Sequence, residues 1–320
     1  MISLNSKFYE NLEVLISMVQ SLTITDKTLI KEEKIIAEEI DMYFENPSSR
    51  GFYELNALMY NSAYKYEIAG MKEDIKDLSV DYFEEIFNYY YSPSNCQLFI
   101  AGPINVVELK EKLQSLQNIN IQKTVEREQI VEVIEQEKKE KIIKMNNIES
   151  TLNYGGYKLP QIIDLKEQVI SYLMFEVLEK LNFSLNNKRY KSAINNGIIN
   201  DTFYLYNYIT KDINAIIWKV SGKIDLTKIN KFIEAQLELH ESDLELIDKC
   251  LKGLIGAEVR LYETSKKIVS NISAIVSLDI EFEEFYQILL QISAEDILNY
   301  NKEFNLLNNY YVMIKSRDVE

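Results

Sequence analysis

Tyr89-Tyr90-Tyr91-Ser92-Pro93-Ser94-Asn95-Cys96-Gln97-Leu98-Phe99-Ile100-Ala101-Gly102-Pro103 changes backbone character twice within one short run. The aromatic residues close a helix over Val80 to Tyr90 that Ser79 can cap. Ser92 to Asn95 cannot extend it, because proline lacks the donor N–H and small polar residues favour turns. Cys96 to Ala101 then reads as a short apolar strand, ended by Gly102-Pro103. The same rhythm returns late in the chain, where Ala294 to Phe304 reads as helix and Tyr310 to Ile314 as strand. The echo predicts an α+β fold of two related units, each with helices packed on a mainly antiparallel sheet.

Working outward, apolar residues at helical spacing predict helices over Phe8 to Val19, Lys27 to Phe44, Phe52 to Tyr60 and Val106 to Leu116. The first region therefore reads as several helices and one strand, and is assigned to residues 1–122. Residues 123–140 are dominated by Glu126-Arg127-Glu128 and Glu135-Gln136-Glu137-Lys138-Lys139-Glu140, and read as a charged linker. Residues 141–320 form the second region. It has strands near Lys141 to Met145 and Ser150 to Tyr157, and a long helix over Leu165 to Leu181. A hairpin from Phe203 to Val220 follows, then helices over Leu226 to Leu239, Asp243 to Tyr262, Phe282 to Leu290 and Ala294 to Phe304.

Composition narrows the function. The formal net charge is −15, so a nucleic acid is not the expected partner, since its binding relies on Lys and Arg neutralising phosphates. An anionic membrane surface is disfavoured for the same reason. No apolar run is long enough to span a bilayer, and Met1-Ile2-Ser3-Leu4-Asn5 lacks the layout of a signal peptide. Two cysteines, Cys96 and Cys250, are too few for a disulfide framework in a chain of this length, so the expected setting is cytoplasmic.

The segment with most chemistry runs from Lys31 to Arg50. Glu32 and Glu39 are seven residues apart, so both carboxylates lie along one face of a helix. Spacing alone leaves two readings open. The Glu/Lys run can be a solvated face with i,i+4 pairs, or one carboxylate can ligate a metal while the other supports it.

The order of the pieces resembles the pitrilysin/insulinase family of zinc peptidases, the inverted-motif class whose signature is H-x-x-E-H. Glu39, in Glu32-Glu33-Lys34-Ile35-Ile36-Ala37-Glu38-Glu39-Ile40 before Asn46-Pro47, falls on the family's third zinc ligand. Glu32 falls on its accessory carboxylate. Ile68-Ala69-Gly70 and the run from Tyr89 to Gly102 continue the match. Asn196-Gly197-Ile198-Ile199-Asn200-Asp201-Thr202-Phe203 and a lysine-glycine helix start at Lys252-Gly253-Leu254-Ile255-Gly256 are similar to a bacterial, processing-peptidase-like branch.

The resemblance also defines what is not here. No H-x-x-E-H occurs in the 320 residues, and the chain has one histidine, His240, far from the corresponding position. On the family pattern, on the order of a hundred residues of the leading domain have no counterpart, so the first unit is expected to be incomplete. Many members carry an Arg and a Tyr seven residues apart, whereas Arg189 and Tyr190 are adjacent.

A catalytic zinc keeps three protein ligands and an open position, and Glu39 is one. Zinc is therefore implied by the family but is not expected to be held by this chain alone. The resemblance implies the C-terminal part of a zinc metallopeptidase, acting on peptides, whose site a second peptidase-like chain completes. The alternative it implies is a non-catalytic partner subunit that forms the wall of a peptide-binding chamber.

Overall fold

The computed structural model describes residues 7–76, 78–116, 130, 132, 139–146, 148–210, 212–276 and 280–317. Twelve helices and five strands occur among them, in an α+β arrangement. The helices are α1 (Phe8–Gln20), α2 (Asp26–Glu45), α3 (Pro47–Met59), α4 (Val80–Tyr90), α5 (Val106–Leu116) and α6 (Leu165–Leu181). The remainder are α7 (Lys188–Asn195), α8 (Leu226–Gln236), α9 (Leu244–Arg260), α10 (Ser265–Val276), α11 (Phe282–Gln291) and α12 (Ala294–Glu303). The strands are β1 (Lys139–Met145), β2 (Leu152–Lys158), β3 (Tyr204–Ile209), β4 (Asn214–Ser221) and β5 (Asn309–Ser316).

The chain divides into two compact units that interleave in sequence. The second unit comprises Met42–Ile68, Ile130–Val259 and Ile275–Glu320. It holds one five-stranded sheet in the order β1-β5-β2-β4-β3. Three of the four pairings are antiparallel, and β1 runs parallel to β5 with Lys139 opposite Tyr310 and Met145 opposite Ser316.

Alternation along the central strands sends side chains to two separate cores. On β4, Ile216, Trp218 and Val220 join Tyr157 and Tyr311 on the face covered by α6, α8, α9, α11 and α12. Ala215 and Ile217 of β4, with Tyr154, Tyr310, Val312 and Ile314, point to the other face, where Leu55 and Met59 of α3 cover them. Strand β4 therefore carries a continuous apolar run from Ala215 to Trp218, as a strand buried on both faces does.

Two glycines, one on β2 and one on α3, make this packing possible. A Cβ on Gly155 would stand 2.2 Å from the Trp218 ring, and one on Gly51 of α3 would stand 2.2 Å from the Tyr154 ring. Both aromatic rings are almost fully buried and cannot retreat.

The first unit comprises the described parts of Met1–Asp41, Ala69–Gln129 and Arg260–Ala274. It contains α1, α4, α5 and most of α2 and α10, with α1 packed against α5 and Lys112 of α5 paired to Glu13 of α1. Its apolar side chains stay largely open: among the described residues only Leu12, Leu29 and Ile40 are buried. Neither α4 nor α5 has a fully buried residue.

The structure corrects the sequence reading at several points. Cys96 to Ala101 is not a strand. Its apolar pattern is present, but a strand needs a ladder partner and the described residues of this unit supply none. Helix α3 begins at Pro47 rather than Phe52, because Asn46 caps it by accepting from Ser48 N–H at 2.9 Å and Ser49 N–H at 3.0 Å. Lys252 to Gly256 is not a helix start but the interior of α9, and a Cβ on either glycine would meet nothing. The expected helix over Leu226 to Leu239 ends at Gln236. Of the predicted linker 123–140, only Ile130, Glu132, Lys139 and Glu140 are among the described residues.

Candidate functional site

Helix α2 is started by a pair of threonines. Thr25 N–H donates to Thr28 Oγ1 at 2.8 Å and Thr28 N–H to Thr25 Oγ1 at 3.2 Å, which satisfies two donors of the first turn. Leu29 and Ile40 are its buried residues. Glu33, Ile36 and Ala37 flank that line and are half-buried.

Glu32 and Glu39 both lie on the exposed flank beside it. Seven residues turn about 700°, roughly 20° short of two full turns, so the two carboxylates sit almost in line, about 10 Å apart along the axis. Ile35 and Met42, 45% and 57% exposed, continue the same flank. The flank is thus a mixed carboxylate and apolar stripe.

The far end of α2 is held by an aromatic clasp. Phe44 and Tyr53 meet edge to face with ring centroids 5.1 Å apart, and the Arg50 guanidinium lies over both rings at 4.7 and 5.5 Å. Arg50 also pairs with Glu54, whose buried carboxylate is shared with Lys141 of β1. In the first unit, Asp41 of α2 pairs with Lys72 in the loop after Gly70. Gly70 adopts φ 72°, and Asp74 Oδ2 accepts from Met71 N–H at 2.9 Å to close that turn.

Zinc does not fit the donor set of the described residues. A catalytic site requires three protein ligands, and among the described residues no three His, Cys, Asp or Glu side chains converge. His240 lies in the second unit, where its backbone N–H donates to Asp243 Oδ2 at 2.9 Å ahead of α9. Cys96 is exposed and Cys250 half-buried, both free thiols. Burial pushes the Cys250 thiol up despite Lys180 and Lys249 nearby.

The remaining sequence motifs prove to be structural. In Asn196 to Phe203, Gly197 takes φ 65° after α7, and Ile199 and Phe203 are buried. Asn200 donates to the Ser221 carbonyl at 2.8 Å, so the motif fastens the α7 corner to the end of β4. Arg189 donates to the Ala235 carbonyl, and Tyr190 packs against Phe203 and Phe232.

Two carboxylates escaped the sequence reading, buried Glu54 on α3 and half-buried Glu132 in the charged stretch. The only local signals for them were a Glu on an otherwise apolar helix face and Lys158 ending the apolar strand β2.

Comparison with known proteins places this architecture. A family model described as the peptidase M16 inactive domain matches residues 77–241, just over half of the 320 residues. The chain belongs to the M16 peptidase family. This is the zinc-peptidase family of pitrilysin and insulinase that the motifs resemble. The chain is 28% identical over 311 residues to a protein of Bacillus subtilis named uncharacterized zinc protease YmfH, covering 94% of this chain and 72% of that one.

Its fold is shared with a protein of Alicyclobacillus acidocaldarius described as an M16-like peptidase, at TM-score 0.79 and 18% identity, over 97% of this chain and 76% of the other. It is also shared with a peptidase M16 inactive domain from Pseudomonas fluorescens, at TM-score 0.75 and 12% identity, over 97% and 75%. No helix among the described residues is long and apolar enough to cross a membrane.

Proposed function

We propose that this chain is the C-terminal part of a cytoplasmic M16-type zinc peptidase and is completed by a second polypeptide segment carrying H-x-x-E-H. Glu39 serves as the third zinc ligand, two histidines of that segment supply the others, and Glu32 supports the ligand set one helical repeat away. The general base would be the glutamate of H-x-x-E-H in that segment and not a residue of this chain, and a bound zinc would supply Lewis-acid activation of water. The substrates are peptides.

One observation carries this reading. The flank of α2 that bears Glu32 and Glu39 also bears exposed Ile35 and Met42, and the helix buries its other side. Ile35 between the two carboxylates and Met42 one turn beyond them make that flank a mixed stripe, the kind of face another polypeptide segment can cover.

The test is zinc content and peptide cleavage of the chain alone and after mixing with proteins encoded by neighbouring genes. The expected result is zinc-dependent cleavage only in the mixture, abolished by Glu39→Gln. Tight zinc binding and cleavage by the chain alone would overturn the reading.

A second reading is favoured by the matched family model, whose description is an inactive domain. On that reading the chain is a non-catalytic partner that lends surface to a peptide chamber. It predicts that Glu39→Gln leaves the activity of the mixture unchanged.

A further inference from the structure

Inside the second unit, a carboxylate is bound by groups distant from it in sequence. Glu132 Oε1 accepts from the backbone N–H of Ser62 at 3.0 Å, and Oε2 accepts from Asn61 N–H at 3.2 Å and from Lys158 Nζ at 3.2 Å. The Ser62 side chain bonds to it as well. Side-chain exposure is 4% for Lys158 and 10% for Glu132. The Lys158 ammonium also lies 5.5 Å from the centre of the Tyr60 ring.

The receiving groups are carried by the end of α3, the turn after it and the end of β2. Tyr60 ends α3, its N–H bonded to the Asn56 carbonyl at 2.9 Å. Ser62 then starts the short turn Ala63–Lys65, and Lys158 closes β2, hydrogen-bonded through its backbone to Asn308 and Leu307. A lysine this deeply buried demands an anion, because an uncompensated buried charge is strongly destabilising. Asp212 lines the same cavity but accepts from the Tyr64 hydroxyl at 3.2 Å. Burial opposes ionisation of Glu132, yet the bonds from Ser62, Asn61 and Lys158 hold its carboxyl below the usual range. Two N–H groups, a hydroxyl and an ammonium converging on one planar anion suit a carboxylate in particular.

We propose that Asn61, Ser62 and Lys158 form a carboxylate-binding site that Glu132 occupies from within the chain, and that the site takes a peptide carboxylate when Glu132 is displaced. Occupied by Glu132, it fastens that residue to the corner between α3 and β2. Vacated, it receives an acidic side chain or a peptide C-terminus.

The test empties the site and offers it propionate. Trp218, the chain's one tryptophan, is buried in the same unit and reports unfolding by fluorescence. Glu132→Ala should lower the unfolding temperature by about 5 °C or more. Propionate at on the order of 10–100 mM should restore most of that loss saturably, while propionamide should not. The wild type and Glu132→Ala/Lys158→Met should show little response to either.

Should Glu132→Ala not fold, propionate but not propionamide should raise its refolding yield. Glu132→Gln, whose amide still fills the site, should fold and ignore propionate. An equal propionate response in wild type and Glu132→Ala, equal effects of acid and amide, or no loss in Glu132→Ala would each overturn the proposal.

Discussion

The two units handle their apolar residues differently. The second buries Trp218, Tyr154, Tyr157, Tyr310 and two layers of aliphatic side chains on opposite faces of one sheet. The first buries Leu12, Leu29 and Ile40 among its described residues, while Val14, Met18, Tyr82, Tyr89, Tyr90 and Val106 remain between 42% and 69% exposed. A helix earns most of its stability by burying an apolar face, so helices that do not are only weakly held by their own unit. The difference teaches that stability in this chain is concentrated in the sheet unit, whereas the smaller first unit leaves a larger share of its apolar side chains in the open.

That contrast can be broken at its strong end. Trp218→Ala empties the space between the sheet and α6, and should cost about 3–5 kcal/mol, read as the midpoint of denaturant unfolding. A loss below about 1 kcal/mol would mean that the sheet unit is far looser than its packing.

The next effect is electrostatic. Glu54→Ala leaves Arg50 and Lys141 without their shared buried carboxylate, and should cost about 2 kcal/mol by the same measurement.

Glu176 of α6 sharpens the picture through pH. Burial, with Glu179 and Glu258 nearby, raises its carboxyl above the usual range even though Lys180 opposes the shift. A carboxyl raised on folding binds more protons folded than unfolded, so its unfavourable contribution is absent at low pH and grows as pH rises through the carboxylate range. Glu176→Gln should therefore raise the unfolding temperature at pH 7 and leave it unchanged near pH 3. A gain of equal size at both values would place the effect in packing instead.

The smallest expected effect tests the weak end. Val14→Ser and Met18→Ser on α1 should each change the stability of the isolated chain by no more than about 0.5 kcal/mol. On the proposed reading the same substitutions should weaken association with the completing segment, read as the dissociation constant between the two. Loss of stability in the isolated chain would show that the face is already covered.

Most helices were legible in the sequence because they carry their signals locally. Val80 to Tyr90 and Leu165 to Leu181 have the expected bounds, with Ser79 and Asp164 as caps that accept from Tyr82 and Glu167 N–H. Strand β5 and the β3–β4 hairpin were legible from alternation and turn residues. Helix α7 was not, since Lys188 to Asn195 is polar and buries only Ala193. Nor was the placement of α3 on the sheet, which depends on Gly51, Leu55 and Met59 meeting strands a hundred or more residues away.

Cys96 to Ala101 has the composition of a strand, and its misreading shows that composition cannot supply the partner a ladder requires. At the candidate metal face, Glu32 and Glu39 were legible as one helix flank, because helical spacing is a local property. The Glu132 site was not, because its donors and acceptor are brought together from three separated segments.

The placement of β5 bears on when this molecule can form during synthesis. Strand β5 is the last in the chain, yet it sits inside the sheet, between β1 and β2. Strands β2, β3 and β4 can pair as soon as they leave the ribosome, but β1 has no neighbour until residues 309–316 emerge. Some 170 residues after β1 must therefore be made while its edge waits open, a long-range closure of the kind that slows folding. A ribosome stalled before Asn309 would hold a three-stranded intermediate with an unprotected edge at β2, the form of this protein in greatest need of a chaperone.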